Sequence, residues 1–386
     1  MDLSIITTYR CNSKCQMCYI WQNPTVPKEE ITPEILSKLP EGFDNVNITG
    51  GEPTNRNDLK EICDVMFPKS KTLEISSNGL KPHVLIPIVK KYPYIKIRIS
   101  LEGSEAINNM IRGEKNGFEK KLNGMKELIE AGGEDLGFAF VVQDENAHEL
   151  MYVYELTKKM GIELSTSSLH NAWQFHKNDN YHYDRLSSAK SVENLISGML
   201  DTWSIKNWFR AYMNLGLVEK ILGHKRLHPC VAGDGFIFID PWSDVWACNV
   251  RTDLPMGNLL ENSWQEILNS EISKKSIEKV KVCEQNCWMV TTARTAMRST
   301  IHPSLPKYSA ARWVLANRIK RLFKININFN NYIDYSNIIP NVITTDNQIQ
   351  KDGDEIVRKS FLNEKFVKKV QTKEDPHYTQ GKYYNL

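Results

Sequence analysis

The stretch TYRCNSKCQMCYIW, residues 8–21, places Cys11, Cys15 and Cys18 within eight positions of a chain that has 8 cysteines in 386 residues. The spacing is C-x3-C-x2-C, and no fourth cysteine lies close by. A structural zinc site normally takes four protein ligands. Three thiolates can instead hold three irons of a cubane cluster and leave the fourth iron open. The triplet therefore predicts a reactive iron–sulfur cluster rather than a structural metal.

Composition places the chain among ordinary globular proteins, with 41% hydrophobic and 25% charged residues. The net charge of +3 is small for this length and gives no argument for a nucleic-acid partner. The N-terminus lacks the basic flank and long apolar core of a signal peptide, and no apolar run of about 18 residues occurs. We therefore expect a cytoplasmic protein with one large domain and a smaller one. Clustered cysteines in that reducing compartment are metal ligands or catalytic thiols more often than disulfides.

Short β-branched runs alternate with helical patterns over residues 1–167. The predicted strands cover 3–8, 46–49, 72–77, 95–101, 137–142 and 162–167. The predicted helices cover 57–66, 82–91, 117–131 and 147–160. This alternation indicates parallel βαβ units. Six units predict an α/β fold, a partial (β/α)6 TIM-like barrel, in which the chemistry lies at the carboxyl ends of the strands.

Polar and glycine-bearing motifs directly follow three predicted strands. TGGEP (49–53) ends the second strand, SSNG (76–79) the third and SLEG (100–103) the fourth; MIRG (110–113) comes soon after. Each motif alone would be read as a turn or a surface feature. Because the strand ends meet at one edge of the sheet, their order predicts one shared site with the cysteine triplet.

Together these motifs resemble the signature of radical S-adenosylmethionine (radical SAM) enzymes, and the resemblance extends over most of 1–167. It implies that the cysteine triplet holds a 4Fe–4S cluster whose open iron binds S-adenosylmethionine. It also implies that an electron from the reduced cluster cleaves the sulfonium C–S bond, giving a 5′-deoxyadenosyl radical that abstracts a substrate hydrogen atom. A reductant such as flavodoxin or ferredoxin would supply the electron.

The resemblance assigns S-adenosylmethionine contacts to individual residues. The backbone at Gly50 and Gly51 can approach the amino group because glycine has no Cβ, and the fork of Arg112 matches the methionine carboxylate. Tyr19 can stack near the adenine. The full set of predicted contacts is Tyr19, Gly50, Gly51, Glu52, Ser77, Asn78, Ser100, Glu102 and Arg112.

We interpret the two acidic residues of this set, Glu52 and Glu102, differently. Glu52 is expected to support its loop rather than to perform acid–base chemistry. Glu102 stands where the family usually has Asp.

A second cysteine group lies between residues 230 and 287. A strand pair joined near DPWSD (240–244) would bring Cys230 and Cys248 together, and a helix at 264–270 would return the chain to Cys283 and Cys287. Four thiolates predict a closed 4Fe–4S site, with zinc held by the same thiols as the alternative.

The order C-x-AG…C…GNL resembles the SPASM and twitch extensions of radical SAM enzymes. With four cysteines available, the resemblance implies one auxiliary 4Fe–4S cluster. The eighth cysteine, Cys63, lies on an apparent amphipathic helix and is expected to be a buried small hydrophobe.

The predicted domains are a radical SAM barrel at 1–168, a connecting helical and substrate-facing segment at 169–229, a SPASM/twitch-like cluster domain at 230–300, and a basic amphipathic helix with a tail at 301–386. In the connecting segment, part of which (188–222) looks helical, His170, Trp173 and His176 could contact substrate or pack the domains together.

The sequence SAARWVLANRIKRLFKI, residues 309–325, reads as a basic amphipathic helix. It could make a peripheral membrane contact on an anionic surface, or meet an acidic partner. It could also pack onto the body of the protein with a solvated charged face.

We predict an oxidoreductase or epimerase-type radical SAM enzyme that acts on a substrate C–H bond. A small molecule, a carbohydrate or aminosugar, and a peptide are all open as substrates. The alternatives are a peptide-modifying SPASM maturase and a non-catalytic, metal-stabilised binding protein.

Overall fold

The computed structural model describes residues 1–177, 179–299 and 310–339. Its strands are β1 (Asp2–Ile6), β2 (Asn45–Thr49), β3 (Leu73–Ser77), β4 (Lys96–Ser100), β5 (Asp135–Val142), β6 (Glu163–Ser168), β7 (Phe236–Ile239), β8 (Asp244–Trp246) and β9 (Pro255–Asn258). They form one sheet in the order β6-β5-β4-β3-β2-β1-β7-β8-β9. The first six strands pair in parallel with their chain neighbours, which confirms the predicted α/β fold.

The described helices are α1 (Pro33–Ser37), α2 (Leu59–Met66), α3 (Pro82–Lys91), α4 (Glu105–Arg112), α5 (Gly117–Glu130), α6 (Leu150–Met160), α7 (Arg185–Leu200), α8 (Ile205–Leu222), α9 (Trp264–Asn269), α10 (Glu271–Lys281), α11 (Val290–Ser299) and α12 (Ala310–Leu322). The predicted helical stretch 188–222 is two helices, because Ser204 caps the start of α8 by accepting from Asn207 N. Within these described ranges, no helix has the length and apolarity needed to cross a membrane.

The sheet centre is buried on both faces, as expected for parallel strands covered by helices. All five residues of β1 are buried, from Asp2 to Ile6. The alternation of Asp2 and Ser4 with Leu3 and Ile5 is typical of a half-exposed strand, so the sequence pattern does not show that both faces of β1 are buried. The strand therefore fixes where the chain emerges into the cysteine loop that follows it.

Strand β1 also joins the barrel half to the C-terminal half, which the sequence did not predict. It pairs in parallel with β7, so one sheet crosses the expected boundary near residue 230. The buried carboxylate of Asp2 accepts hydrogen bonds from Arg294 Nη2 (2.8 Å) and Thr295 Oγ1 (2.9 Å) of α11. The predicted hairpin is confirmed, since β7 and β8 are antiparallel.

Some expectations fall outside the described residues. The structure does not describe residues 300–309 and 340–386. The start of the expected helix 309–325 and the expected C-terminal tail lie in these ranges.

Replacing Phe238 by alanine tests how far the joint between the two halves stabilises the protein. Its side chain is 1% exposed, on the strand that pairs with both β1 and β8. We expect Phe238→Ala to lower the free energy of unfolding by about 3–5 kcal/mol, measured by guanidinium unfolding. Tyr94→Ala is the control, because Tyr94 is 71% exposed and should change stability by less than about 0.5 kcal/mol. Equal effects of the two variants would contradict this account of the joint.

Candidate active site

The cysteine triplet lies on the wall of a cavity of about 180 Å³ at the carboxyl ends of the barrel strands. Most side chains predicted from the sequence line the same cavity. They are Cys11, Cys15, Cys18, Gly50, Gly51, Glu52, Ser77, Asn78, Ser100 and Arg112. The structure thus brings together residues that are up to 101 positions apart in the chain.

The two glycines after β2 let one loop lie directly against the start of the cysteine loop. Gly51 N donates to Thr8 O (2.7 Å) and Glu52 N donates to Arg10 O (2.9 Å). A Cβ on Gly51 would lie 2.6 Å from Arg10 O, and a Cβ on Gly50 would lie 2.6 Å from Thr8 O. Only glycine permits this backbone approach.

Glu52 is fully buried, and its carboxylate joins the loops after β2 and β3. One oxygen accepts from Thr54 N (3.0 Å), Thr54 Oγ1 (2.7 Å) and Ser77 Oγ (2.8 Å). The other accepts from Asn78 N (2.6 Å). These contacts agree with the expected supporting role, because the carboxylate is already occupied by neutral donors of its own chain.

Asn78 connects the loop after β3 to the cysteine loop. Its Nδ2 donates to Asn12 Oδ1 (2.7 Å) and to Ser13 Oγ (2.8 Å), between the first two cysteines. Ser13 Oγ in turn donates to Glu114 Oε1, just after α4. The cysteine loop is therefore held from two sides.

Arg112 lies within a buried group of four charges. Its Nη1 donates to Glu102 Oε1 (3.3 Å), and its Nε is 3.8 Å from Glu114 Oε1. Lys121 Nζ is 2.5 Å from the other oxygen of Glu114. Two cations and two carboxylates balance, which is the condition for burying charge at tolerable cost. Burial lowers the pKa of Lys121 to about 8 and raises the pKa of Glu102.

Glu102 does not reach the cavity, unlike the direct contact that the sequence led us to expect. It is fully buried, and besides Arg112 it binds Val141 N (2.8 Å) through its second oxygen. Its carboxylate can therefore orient Arg112, which does line the cavity.

The end of α4 docks on the cysteine loop through its backbone. Lys14 N donates to Arg112 O (3.0 Å), and Gln16 N donates to Ile111 O (2.9 Å). Gly113 ends the helix at φ +60°, and a Cβ there would lie 2.6 Å from Lys14 O. This close approach places Arg112 beside the thiols.

The electrostatics of the triplet fit a cationic metal group. Burial raises the pKa of the Cys11 thiol to about 12 and also raises the pKa values of Cys15 and Cys18. The nearby Arg112 acts in the opposite direction at all three thiols. Ionised thiolates here therefore need further positive charge, which iron would supply.

Tyr19 is not among the residues that line the cavity. Its ring instead has the Lys177 ammonium 4.7 Å from its centroid. Neighbouring Ile20 and Trp21 line the cavity, together with Phe175. The sequence pattern around the cysteines could not distinguish Tyr19 from Trp21, because both are aromatic residues just after the triplet.

His170 lines the same cavity from the chain that follows β6. Its Nδ1 is 3.4 Å from Ser168 O, so the tautomer that donates from Nδ1 leaves a lone pair on Nε2. Nε2 is buried and has no hydrogen-bond partner among the described residues, and burial lowers the pKa of His170 to about 4. The sequence offered His170 only as a substrate or packing residue. The structure adds a neutral acceptor to the site.

Asn180 is a residue that sequence reasoning missed. It lines the cavity, and its Nδ2 donates to Met17 O (3.0 Å) and His170 O (3.1 Å). It thereby fixes the histidine-bearing segment to the cysteine loop. No periodicity or spacing in the sequence marks such a bridge over 163 positions.

The second cysteine group converges on another cavity, of about 20 Å³. Cys230, Cys248, Cys283 and Cys287 all line it. Burial raises the pKa of the Cys248 thiol to about 12. Four thiols around one small space fit a fully protein-ligated cluster.

Cys63 is apart from both groups and fully buried on α2, as predicted.

Two models of known protein families match parts of this chain. The radical SAM superfamily model matches residues 5–157, and the model of an iron–sulfur cluster-binding domain, SPASM, matches residues 230–288. The two matches contain the first and second cysteine groups, respectively.

The individual relatives have low sequence identity to this chain. The mycofactocin maturase MftC of Mycolicibacterium smegmatis is 27% identical over 278 residues, which are 67% of this chain and 68% of the maturase. A probable GTP 3′,8-cyclase of Saccharolobus islandicus is 30% identical over 178 residues, 44% of this chain and 57% of the cyclase. The chain thus spans just over half of the length of that relative.

Among solved structures, native anSMEcpe with bound AdoMet and the Cp18Cys peptide has a TM-score of 0.56 at 16% identity, covering 86% of this chain and all of the other. This likeness shows a shared fold. Both family models match, in the order in which the two cysteine cavities occur along the chain. Residues 5–157 therefore form a radical SAM domain and residues 230–288 a SPASM-type domain, and the cofactors of this pair of domains are S-adenosylmethionine and two 4Fe–4S clusters.

Proposed function

We propose that this enzyme abstracts a hydrogen atom from a C–H bond of a substrate at the 180 Å³ cavity and completes an oxidation or an epimerisation. The observation that carries this proposal is that one cavity is lined by the cysteine triplet, Arg112 and His170. When bound, the cofactors supply the 5′-deoxyadenosyl radical at this site and an electron acceptor at the second cysteine group.

We assign the following roles to the chain's own residues. Cys11, Cys15 and Cys18 hold the first cluster. The backbone at the glycine pair after β2 takes the amino group of S-adenosylmethionine, and Arg112 takes its carboxylate. The full set proposed to form or support this binding site is Tyr19, Gly50, Gly51, Glu52, Ser77, Asn78, Ser100, Glu102 and Arg112. The proposed ligands of the auxiliary cluster are Cys230, Cys248, Cys283 and Cys287.

Apolar side chains form much of the remaining cavity wall. They include Met17, Trp21, Val141, Leu169 and Phe175. A wall of this kind excludes water from the reacting carbon and protects a radical from side reactions. It also positions the substrate by contact rather than by charge.

His170 is the residue that we propose takes part in proton transfer. Oxidation of a C–H position removes one hydrogen atom and then one proton and one electron. The neutral Nε2 of His170 has the free lone pair needed to accept the proton. An epimerisation would not require net proton loss.

Two classes of substrate are compatible with the proposed reaction. A carbohydrate or aminosugar is one class, although no sequence motif recognises a sugar. A peptide is favoured by similarity to a maturase and by the peptide bound in the anSMEcpe structure. A reductant such as flavodoxin or ferredoxin would supply the electron with either class of substrate.

Turnover under anaerobic conditions tests the proposed function. The reconstituted, chemically reduced protein should release 5′-deoxyadenosine from S-adenosylmethionine. Addition of the true substrate should raise the rate, and mass spectrometry of peptide and sugar-nucleotide mixtures should reveal a loss of two hydrogens or an exchange at one carbon. Protein with both clusters filled that forms no deoxyadenosine would overturn the proposal.

Iron content tests the two ligand sets separately. Two cubanes predict about eight irons per chain. Cys15→Ala and Cys248→Ala should each lower this to about four, because each variant breaks a different site. Cys63→Ala is the matched control, since Cys63 is buried away from both cavities, and it should retain about eight irons. A variant at Cys15 that keeps full iron content would exclude the proposed first site.

Replacement of His170 by glutamine tests the proton-transfer role. We expect His170→Gln to keep its iron content and its release of deoxyadenosine, while product formation falls by about 10²–10⁴-fold. Because the pKa of His170 is about 4, we expect this residue to cause no inflection in the wild-type pH–rate profile between about pH 6 and 8. His83→Gln, at an exposed histidine, is the control. Unchanged product formation by His170→Gln would assign the proton to another group.

A further inference from the structure

Helix α12 presents apolar residues on two faces. Trp313 and Val314 are buried on the inner face, where the Trp313 ring lies 5.5 Å from that of Tyr212 in α8. On the outer face, Leu315, Ile319, Leu322 and Phe323 are 63%, 46%, 49% and 74% exposed. These four are spaced i, i+4, i+7 and i+8 and so form one stripe. The structure thus confirms packing onto the body but not a purely charged outer face.

The connection between α7 and α8 contacts the same helix. The guanidinium of Arg318 lies 4.8 Å from the ring centroid of Trp203, and Arg321 forms an ion pair with Asp201 (2.6 Å). Trp203 is 80% exposed and Ile205 is 63% exposed. We call the exposed set the apolar patch; its members are Trp203, Ile205, Leu315, Ile319, Leu322, Phe323 and Ile325.

Positive charge flanks the apolar patch. Residues 310–325 contain Arg312, Arg318, Lys320, Arg321 and Lys324, and no Asp or Glu. Arg321 is paired with Asp201, and the buried guanidinium of Arg318 lies over the rings of Trp203 and Trp208. The cations that remain for a partner beside the stripe are therefore Lys320, next to Tyr332, and Lys324. Single exposed apolar residues need no explanation, but four on one helical stripe, with Lys320 and Lys324 beside them and no Asp or Glu in residues 310–325, point to an interaction site.

We propose that the apolar patch docks on an anionic lipid bilayer. Phe323 and Trp203 would enter the boundary between headgroups and acyl chains, while Lys320 and Lys324 lie against lipid phosphates. A bilayer suits the two lysines beside the stripe, Lys320 and Lys324, because lysine is depleted at protein–protein interfaces and enriched on membrane-surface helices. The surface is also the outside of a helix rather than a groove. This docking is independent of the proposed reaction.

Vesicle co-sedimentation of the full-length, cluster-loaded protein tests the proposal. The expected result is binding to vesicles of phosphatidylglycerol mixed with phosphatidylcholine, at least tenfold weaker binding to phosphatidylcholine alone, and weakening by salt. The double variant Leu322→Ser, Phe323→Ser should lose at least tenfold in affinity while its iron content stays unchanged. Tyr94→Ser and Tyr183→Ser are matched controls at exposed aromatic positions, 71% and 84% exposed, and should bind as the wild type does.

Several outcomes would overturn the proposal. Wild-type protein that does not bind the anionic vesicles excludes it, as does a double variant that binds like the wild type. Equal binding to both kinds of vesicle would remove the role assigned to the lysines. Self-association in analytical ultracentrifugation that the double variant abolishes, without vesicle binding, would assign the apolar patch to a second copy of the chain.

Discussion

Buried carboxylates hold the loop that carries the cysteine triplet, and the rest of the site depends on that restraint. The loop has no helix or strand of its own, so its polar groups must find partners elsewhere. Glu30 accepts from Thr8 Oγ1 just before the triplet, and Glu114 accepts from Ser13 Oγ inside it. Glu52 fixes the neighbouring loop that reaches the same serine through Asn78. Three thiols can face one cavity because these contacts leave the loop little freedom.

The contact of Glu114 with the cysteine loop also explains the group of buried charges beneath the site. Glu114 can anchor the loop only if its own charge is compensated, and Lys121 and Arg112 provide that compensation. Arg112 is then shared between Glu114, Glu102 and the thiols, so its position is set from several sides. Removing one partner from such a group leaves a buried charge unpaired, which costs more than the pair itself contributes. The geometry of the cysteine loop and the position of Arg112 at the cavity therefore rest on the same four side chains.

The sequence predicted the parallel strands and the shared site, because strand periodicity and loops at strand ends are local signals. It placed Gly51 and Arg112 at the cavity for that reason. It could not show that Glu102 turns away from the cavity to orient Arg112, since that depends on Val141 39 positions later. Nor could it show that β1 pairs with β7, because no local signal in either strand specifies a partner so distant in the chain. Local pattern gives the elements, while packing decides which side chains face the cavity.

The pairing of β1 with β7 bears on the auxiliary cluster. Cys11 follows the carboxyl end of β1, whereas Cys230 precedes the amino end of β7, which runs parallel to β1. The two cysteine groups therefore lie toward opposite ends of this strand pair, and their cavities share no lining residue. At about 3.3 Å per residue, β1 alone separates its two ends by about 13 Å. This placement argues against the auxiliary site as a direct anchor for substrate at the first cavity. It favours a role in which only an electron crosses the sheet.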